Sequence, residues 1–165
     1  MVTNMIPGRV PMLVVESLDE VAEVAASVGE DVVLIFDVDN TLAPQGAEPE
    51  ALGELVEAAI ERFEQDPAVG RVIVMTNGRQ RGLTQVISRG NKPFTTRRRL
   101  GLDDSTAPVL VVGDQVLTDG LLAWRLRATF LHLVVDEASE DAQQARMRRV
   151  GRLAGPFLFR TPSAE

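Results

Sequence analysis

The sequence predicts an α/β fold of three layers, Rossmann-like, with a central parallel sheet and no cap domain. Three observations carry this. Apolar strand-like runs alternate with amphipathic helical ones along the chain, the pattern of a parallel sheet covered on both faces. The clearest run, "VVLIF" (32–36), is continuously apolar and so reads as a fully buried strand. Acidic and hydroxyl residues gather immediately after the strand-like runs, at the edge where ligands of such sheets bind. With 165 residues the chain suffices for one domain, 1–165, and is too short for two ordinary ones.

The elements follow in order. "MLVV" (12–15) reads as a short leading strand. A helix begins at about Ser17, with Ser17 as N-cap and Glu20 closing a capping box. After "VVLIF" comes a helix over 49–65, where Leu52, Leu55, Val56, Ala59, Ile60 and Phe63 recur at three and four. "RVIVMT" (71–76) is the second core strand, followed by a helix from about Arg79 to Ser88. "PVLVVG" (108–113) is the third, with a helix from about Asp119 to Arg127 after it. "FLHLVV" (130–135) is the fourth, and a last helix, about Ser139 to Leu153, precedes the tail "GPFLFRTPSAE". Right-handed crossovers between such strands put their C-terminal ends on one edge.

Composition excludes several classes. The chain is 45% hydrophobic and 25% charged, and no apolar run approaches the roughly 18 residues a membrane helix needs. The opening "MVTNMIPGRVPMLVV" is broken by proline and has no small-residue cleavage site, so it does not read as a signal peptide. Absence of cysteine removes disulfides, thiolate zinc sites and cysteine nucleophiles, and a cytoplasmic address is expected. A net charge of −7 argues against nucleic-acid partners. Basic residues nonetheless cluster in "RQR" (79–81), "TTRRRL" (95–100) and "ARMRR" (145–149), either as solvated faces or as a rim around an anionic substrate. No G-x(4)-G-K-[ST] loop is present, which excludes P-loop nucleotide chemistry.

The residues at the strand ends point to phosphate chemistry. Asp37, Asp39 and Thr41 follow the first core strand, Thr76 and Asn77 the second, and Gly113, Asp114 and Asp119 the third. Lys92 lies between the second and third. Carboxylates a few ångströms apart repel, so one must take a proton or a cation must sit between them. All-oxygen ligation without His or Cys favours Mg²⁺, which completes its shell with waters and a substrate phosphate. Lys92 and the Thr76 hydroxyl suit phosphate oxygens, and a carboxylate nucleophile is a known solution where no Ser–His or Cys–His pair exists.

"DVDNTLAP", "MTNG", "NKPF" and "VGDQVLTD" resemble the four ordered motifs of the haloacid dehalogenase (HAD) superfamily of phosphatases, over Asp37 to Asp119. "FDVDNTL", "VGDQVLTD" and the leading "PMLVVESLDEV" are similar to the subfamily III branch that holds the YqeG-like proteins and the phosphatidylglycerophosphate phosphatases. The stretch around Lys92-Pro93 departs from that group in having Gly90-Asn91 before it. The resemblance implies that Asp37 becomes an aspartyl-phosphate and that Asp39 is its acid and base partner. It implies that Thr41 steadies the loop, that Thr76 binds the phosphoryl group with backbone N–H groups of Val38, Asp39 and Asn77, and that Lys92 neutralises charge. It further implies that Asp37, Asp114 and the Asp39 carbonyl hold Mg²⁺, with Asp119 behind them.

The stretches from Asp39 to Ile73 and from Asn77 to Arg99 are too short for a large cap domain. An open site suits a phosphate presented by a macromolecule or a membrane surface, or a homo-oligomer in which a neighbouring subunit covers it. The substrate is expected to be a phosphatidylglycerophosphate-type lipid head group, with a sugar phosphate or nucleotide as the alternative. Arg97, Arg98 and Arg99 are candidates to hold an anionic substrate or membrane surface. His132 and Trp124 read as packing residues. A receiver-like regulatory module also uses Asp, Thr, Lys and Mg²⁺, but there the Lys comes last, whereas Lys92 precedes Asp114. A catalytically idle phosphate- or Mg²⁺-binding relative is the third reading, and every polar group needed for activity is present.

Overall fold

The computed structural model describes residues 8–44, 46–78, 86–87, 89–134, 150–151 and 153–160. Its centre is a seven-stranded sheet in which every pairing is parallel. The strands are β1 (Val10–Val15), β2 (Val32–Phe36), β3 (Val69–Met75), β4 (Val86–Ile87), β5 (Val109–Gly113), β6 (Thr129–Leu133) and β7 (Phe159–Arg160). Their order across the sheet is β4-β3-β2-β5-β6-β1-β7. The fold is α/β, three-layered and Rossmann-like, as the sequence predicts.

β2 owes its place to its composition: all five residues are buried, and alternate ones serve opposite faces. Val32, Leu34 and Phe36 join one core with α1 (Leu18–Val28) and α2 (Pro49–Glu64). Val33 and Ile35 join the other with α3 (Leu121–Leu126). In the first, Val56, Ala59, Ile60 and Phe63 form the buried stripe of α2, and the Phe63 ring lies 4.9 Å from that of Phe36. Full burial of a Phe side chain is worth about 1.5–3 kcal/mol, so this pair is a main tie between helix and sheet. Leu55, at the same helical spacing, stays 44% exposed, so the buried stripe is narrower than the apolar one.

α1 starts where its cap chemistry places it. The Ser17 hydroxyl accepts from the Glu20 N–H at 3.2 Å, and Glu20 Oε2 accepts from the Glu16 N–H at 3.0 Å. The box therefore closes one residue earlier than expected. Pro49 opens α2, where its missing N–H costs nothing.

Two expected helices need revision. Of the one placed near Arg79 to Ser88, residues 79–85 and 88 lie outside the described residues, and Val86–Ile87 is a strand. These β-branched residues pair with Val74 and Met75, and the Ile87 carbonyl accepts from the Thr76 N–H at 3.1 Å. Sheet pairing thus outweighs the local helical reading. Most of the helix at 139–153 also lies outside the described residues. Residues 150–151 and 153–158 are helical, so helix extends into the expected tail, which then adds β7 beside β1. Before α3, the chain forms a π turn at Val116–Gly120.

From β2 the chain steps to β3 and β4 on one side, while β5 and β6 continue on the other. Strand order reverses between β2 and β5, and the parallel pairing puts both C-terminal ends on one edge. Among the described residues, no helix is long and apolar enough to cross a membrane.

Candidate functional site

Asp37 follows β2 and Asp114 follows β5, on either side of the reversal point. Asp119 sits in the π turn, held there by its own N–H donating to the Gln115 carbonyl at 2.9 Å. Its Oδ2 accepts from the Gln115 N–H at 3.3 Å. Gly113 permits this turn: a Cβ there would overlap the Asp119 carboxyl group. Oxygens of Asp37, Asp114 and Asp119 all lie within 4.8 Å of one another, a buried group that could hold a metal ion.

Lys92 reaches into this group. Its ammonium lies 2.5 Å from Asp37 Oδ1 and 2.7 Å from Asp119 Oδ1, with only 3% of its side chain exposed. The Val38 N–H also donates to Asp37 Oδ1, at 2.8 Å, so both contacts fall on one oxygen and Oδ2 is left for other chemistry. Asn77 grips the Lys92 backbone at two points, accepting from its N–H at 2.7 Å and donating to its carbonyl at 3.0 Å. The strand end of β3 thus fixes the lysine that faces β2 and β5.

The charges of the group favour a cation. Three carboxylates against one ammonium leave two negative charges when all are ionised, the charge of one divalent cation. Burial first, and Asp119 next, push Asp37 up to about 8 against the opposing pull of Lys92. Burial, then Asp119, push Asp114 up to about 6, against an Asn40 hydrogen bond at 3.4 Å. For Lys92, burial acts to lower its pKa, but Asp119 and Asp37 outweigh it and hold the amine above its ordinary value. Among the described residues, Asp114 Oδ1 is buried without a hydrogen-bond partner. A buried carboxylate oxygen with no donor is costly, and a cation ligand removes that cost. Hard oxygen donors of this kind fit a divalent cation such as Mg²⁺.

The other expected residues take distinct places. Asp39 is outside the carboxylate group; its Oδ2 accepts from the Thr76 hydroxyl at 3.2 Å. Thr76 is buried and accepts from the Gly78 N–H at 3.0 Å. The Thr76 hydroxyl expected on a phosphate therefore faces Asp39 here. Thr41 is buried in the tight loop after β2, its N–H on the Val38 carbonyl at 3.2 Å and its Oγ1 without a partner among the described residues. Arg97 is spent on the fold itself, its guanidinium donating to the carbonyls of Leu102, Ser105 and Leu126. Arg98 and Arg99 are exposed in the 3₁₀ turn Arg98–Leu100.

Three roles escape sequence reasoning. Asn77 acts through its side chain on Lys92. Asn40 touches Asp114, and its φ of 56° is a left-handed conformation that Asn tolerates well, the one available signal. His132 faces the Asp114 carbonyl through Nε2 at 3.1 Å, and since a carbonyl only accepts, Nε2 carries the proton.

No protein-family model, curated protein or solved structure matches this chain.

Proposed function

We propose that this chain is a Mg²⁺-dependent phosphomonoester hydrolase of the HAD type, working through an aspartyl-phosphate on Asp37. The observation that carries the reading is Lys92 bridging Asp37 and Asp119 beside the unpartnered Asp114 oxygen, at the point where strand order reverses. The four motifs that resemble the HAD pattern supply these same residues.

In the proposed reaction, Asp37 Oδ2 attacks phosphorus while Oδ1 stays on Lys92 and the Val38 N–H. The bond to the leaving oxygen breaks, and Asp39 gives that oxygen its proton. Thr76 moves its hydroxyl bond from Asp39 to a phosphoryl oxygen, and Lys92 offsets the charge that gathers there. Asp39, now a carboxylate, takes a proton from water; that water attacks phosphorus and releases inorganic phosphate from Asp37. Asp37 and Asp114, with the Asp39 carbonyl, would hold Mg²⁺, which when bound would neutralise phosphate charge. Asp119 fixes Lys92 from the far side. These are positioning and charge effects, which dominate phosphoryl transfer.

For the substrate, a phosphatidylglycerophosphate-type lipid is the first candidate, supported by the subfamily resemblance. A soluble sugar phosphate or nucleotide is the alternative. Phosphate release is to be measured with Mg²⁺ against phosphatidylglycerophosphate in mixed micelles, sugar phosphates, nucleotides and an aryl phosphate, beside Asp37→Asn. Lipid turnover that Asp37→Asn abolishes is the expected result. Turnover of a soluble ester alone overturns the lipid assignment and keeps the chemistry. Absence of Mg²⁺-dependent turnover with every substrate counts against the hydrolase itself.

A further inference from the structure

A cavity of about 390 Å³ lies between the β1–β6–β7 side of the sheet and the residues just before β7. Its size falls in the range of small-molecule sites, roughly 300–1,000 Å³. Met12, Val116, Pro156 and Phe159 give it an apolar wall, and His132 and Arg160 are the polar residues among those that line it. Part of the wall is bare backbone. A Cβ added at Gly155 would meet nothing within 4 Å, so this lining position has room for a side chain. Arg160 is exposed, and its guanidinium has no ion-pair partner among the described residues.

We infer that this cavity is a binding site for a small amphipathic anion, its apolar body against Met12, Val116 and Phe159 and its anionic end on Arg160. Apolar lining with one cation at the edge selects that chemistry: a neutral apolar molecule leaves Arg160 unused, and a fully polar anion gains nothing from the wall. Two of its lining residues connect to the elements that carry the carboxylates. Val116 begins the π turn that carries Asp119, and His132 donates to the Asp114 carbonyl at 3.1 Å. An occupant in contact with both is expected to change the affinity of the carboxylate group for a divalent cation. The cavity site itself does not depend on the hydrolase reading, since neither Asp37 nor Lys92 lines it.

The probe is octanoate, titrated into the whole protein by calorimetry without Mg²⁺. Saturable one-to-one binding is expected, weakened about tenfold by Gly155→Phe, which fills the cavity from its bare side, and less by Arg160→Gln. Both variants are to be checked for wild-type circular dichroism. Asp37→Asn is expected to bind octanoate as the wild type does. Mg²⁺ titrated with saturating octanoate present is expected to show a changed Kd, and Gly155→Phe to remove that change. Absence of saturable octanoate binding, or binding unaltered in folded Gly155→Phe, overturns the site. An unchanged Mg²⁺ Kd overturns the link to the carboxylate group.

Discussion

Lys92 holds two carboxylates at once, so its removal exposes the cost of keeping them buried. Lys92→Met leaves Asp37 and Asp119 without a counter-charge, and breaking a buried ion pair on one side typically costs about 3–5 kcal/mol. Protonation of Asp37, whose carboxyl burial pushes up to about 8, offsets part of that loss in acid. The variant is therefore expected to be destabilised more at pH 8 than at pH 5 in urea melts, and equal losses at both contradict it. Gly113 is a second sensitive point. In Gly113→Ala the new methyl meets the Asp119 carboxyl, which must leave Lys92 or shift the turn. A loss of about 1–3 kcal/mol in urea melts is expected, with weaker Mg²⁺ binding by calorimetry. Neither residue's contribution can be read from its neighbours in sequence. Lys92 and Asp119 are brought together by the fold, in which Asn77, at the end of another strand, grips the lysine backbone.

At the scale of elements, caps and cores make separate demands. Ser17→Ala removes the acceptor for the Glu20 N–H and is expected to cost about 1 kcal/mol in urea melts, with the site unaffected. Strands were legible where burial is complete: "VVLIF" matches β2 because a strand buried on both faces must be apolar at every position. Its end was legible for the same reason, since Asp37 and Asp39 interrupt a run that admits no charge without purpose. β4 was illegible because two residues carry no periodicity and gain strand character only from β3 beside them. Leu55 misled through its spacing, which marks a helix face but not how much of that face the sheet covers. Arg97 misled through its charge, because its guanidinium is engaged by carbonyls brought near by folding.

For the whole molecule, the raised carboxylates link stability to pH and to cations. Asp37 and Asp114 titrate at about 8 and about 6 in the fold, against an ordinary value of 3.8. Well below pH 3.8 both folded and unfolded chains hold these protons, and neither group makes stability depend on pH. As pH rises towards 8 the unfolded chain releases them first, so the metal-free protein is expected to lose stability across that interval. A cation needs the carboxylates ionised, so the rise in Tm on adding Mg²⁺ is expected to be larger at pH 8 than at pH 5. A Tm rise independent of pH contradicts this. The central claim, that Asp37 carries the phosphoryl group, is tested most directly by trapping it. Asp39→Asn removes the base proposed to hydrolyse the intermediate, while an aryl phosphate needs no acid to depart. Mass spectrometry of that variant after incubation with an aryl phosphate and Mg²⁺ is expected to find a phosphoryl group on the peptide containing Asp37, with one aryl alcohol released per chain. Aryl phosphate turnover by the wild-type protein, with no phosphorylated peptide in Asp39→Asn or with the group on another residue, would contradict the account.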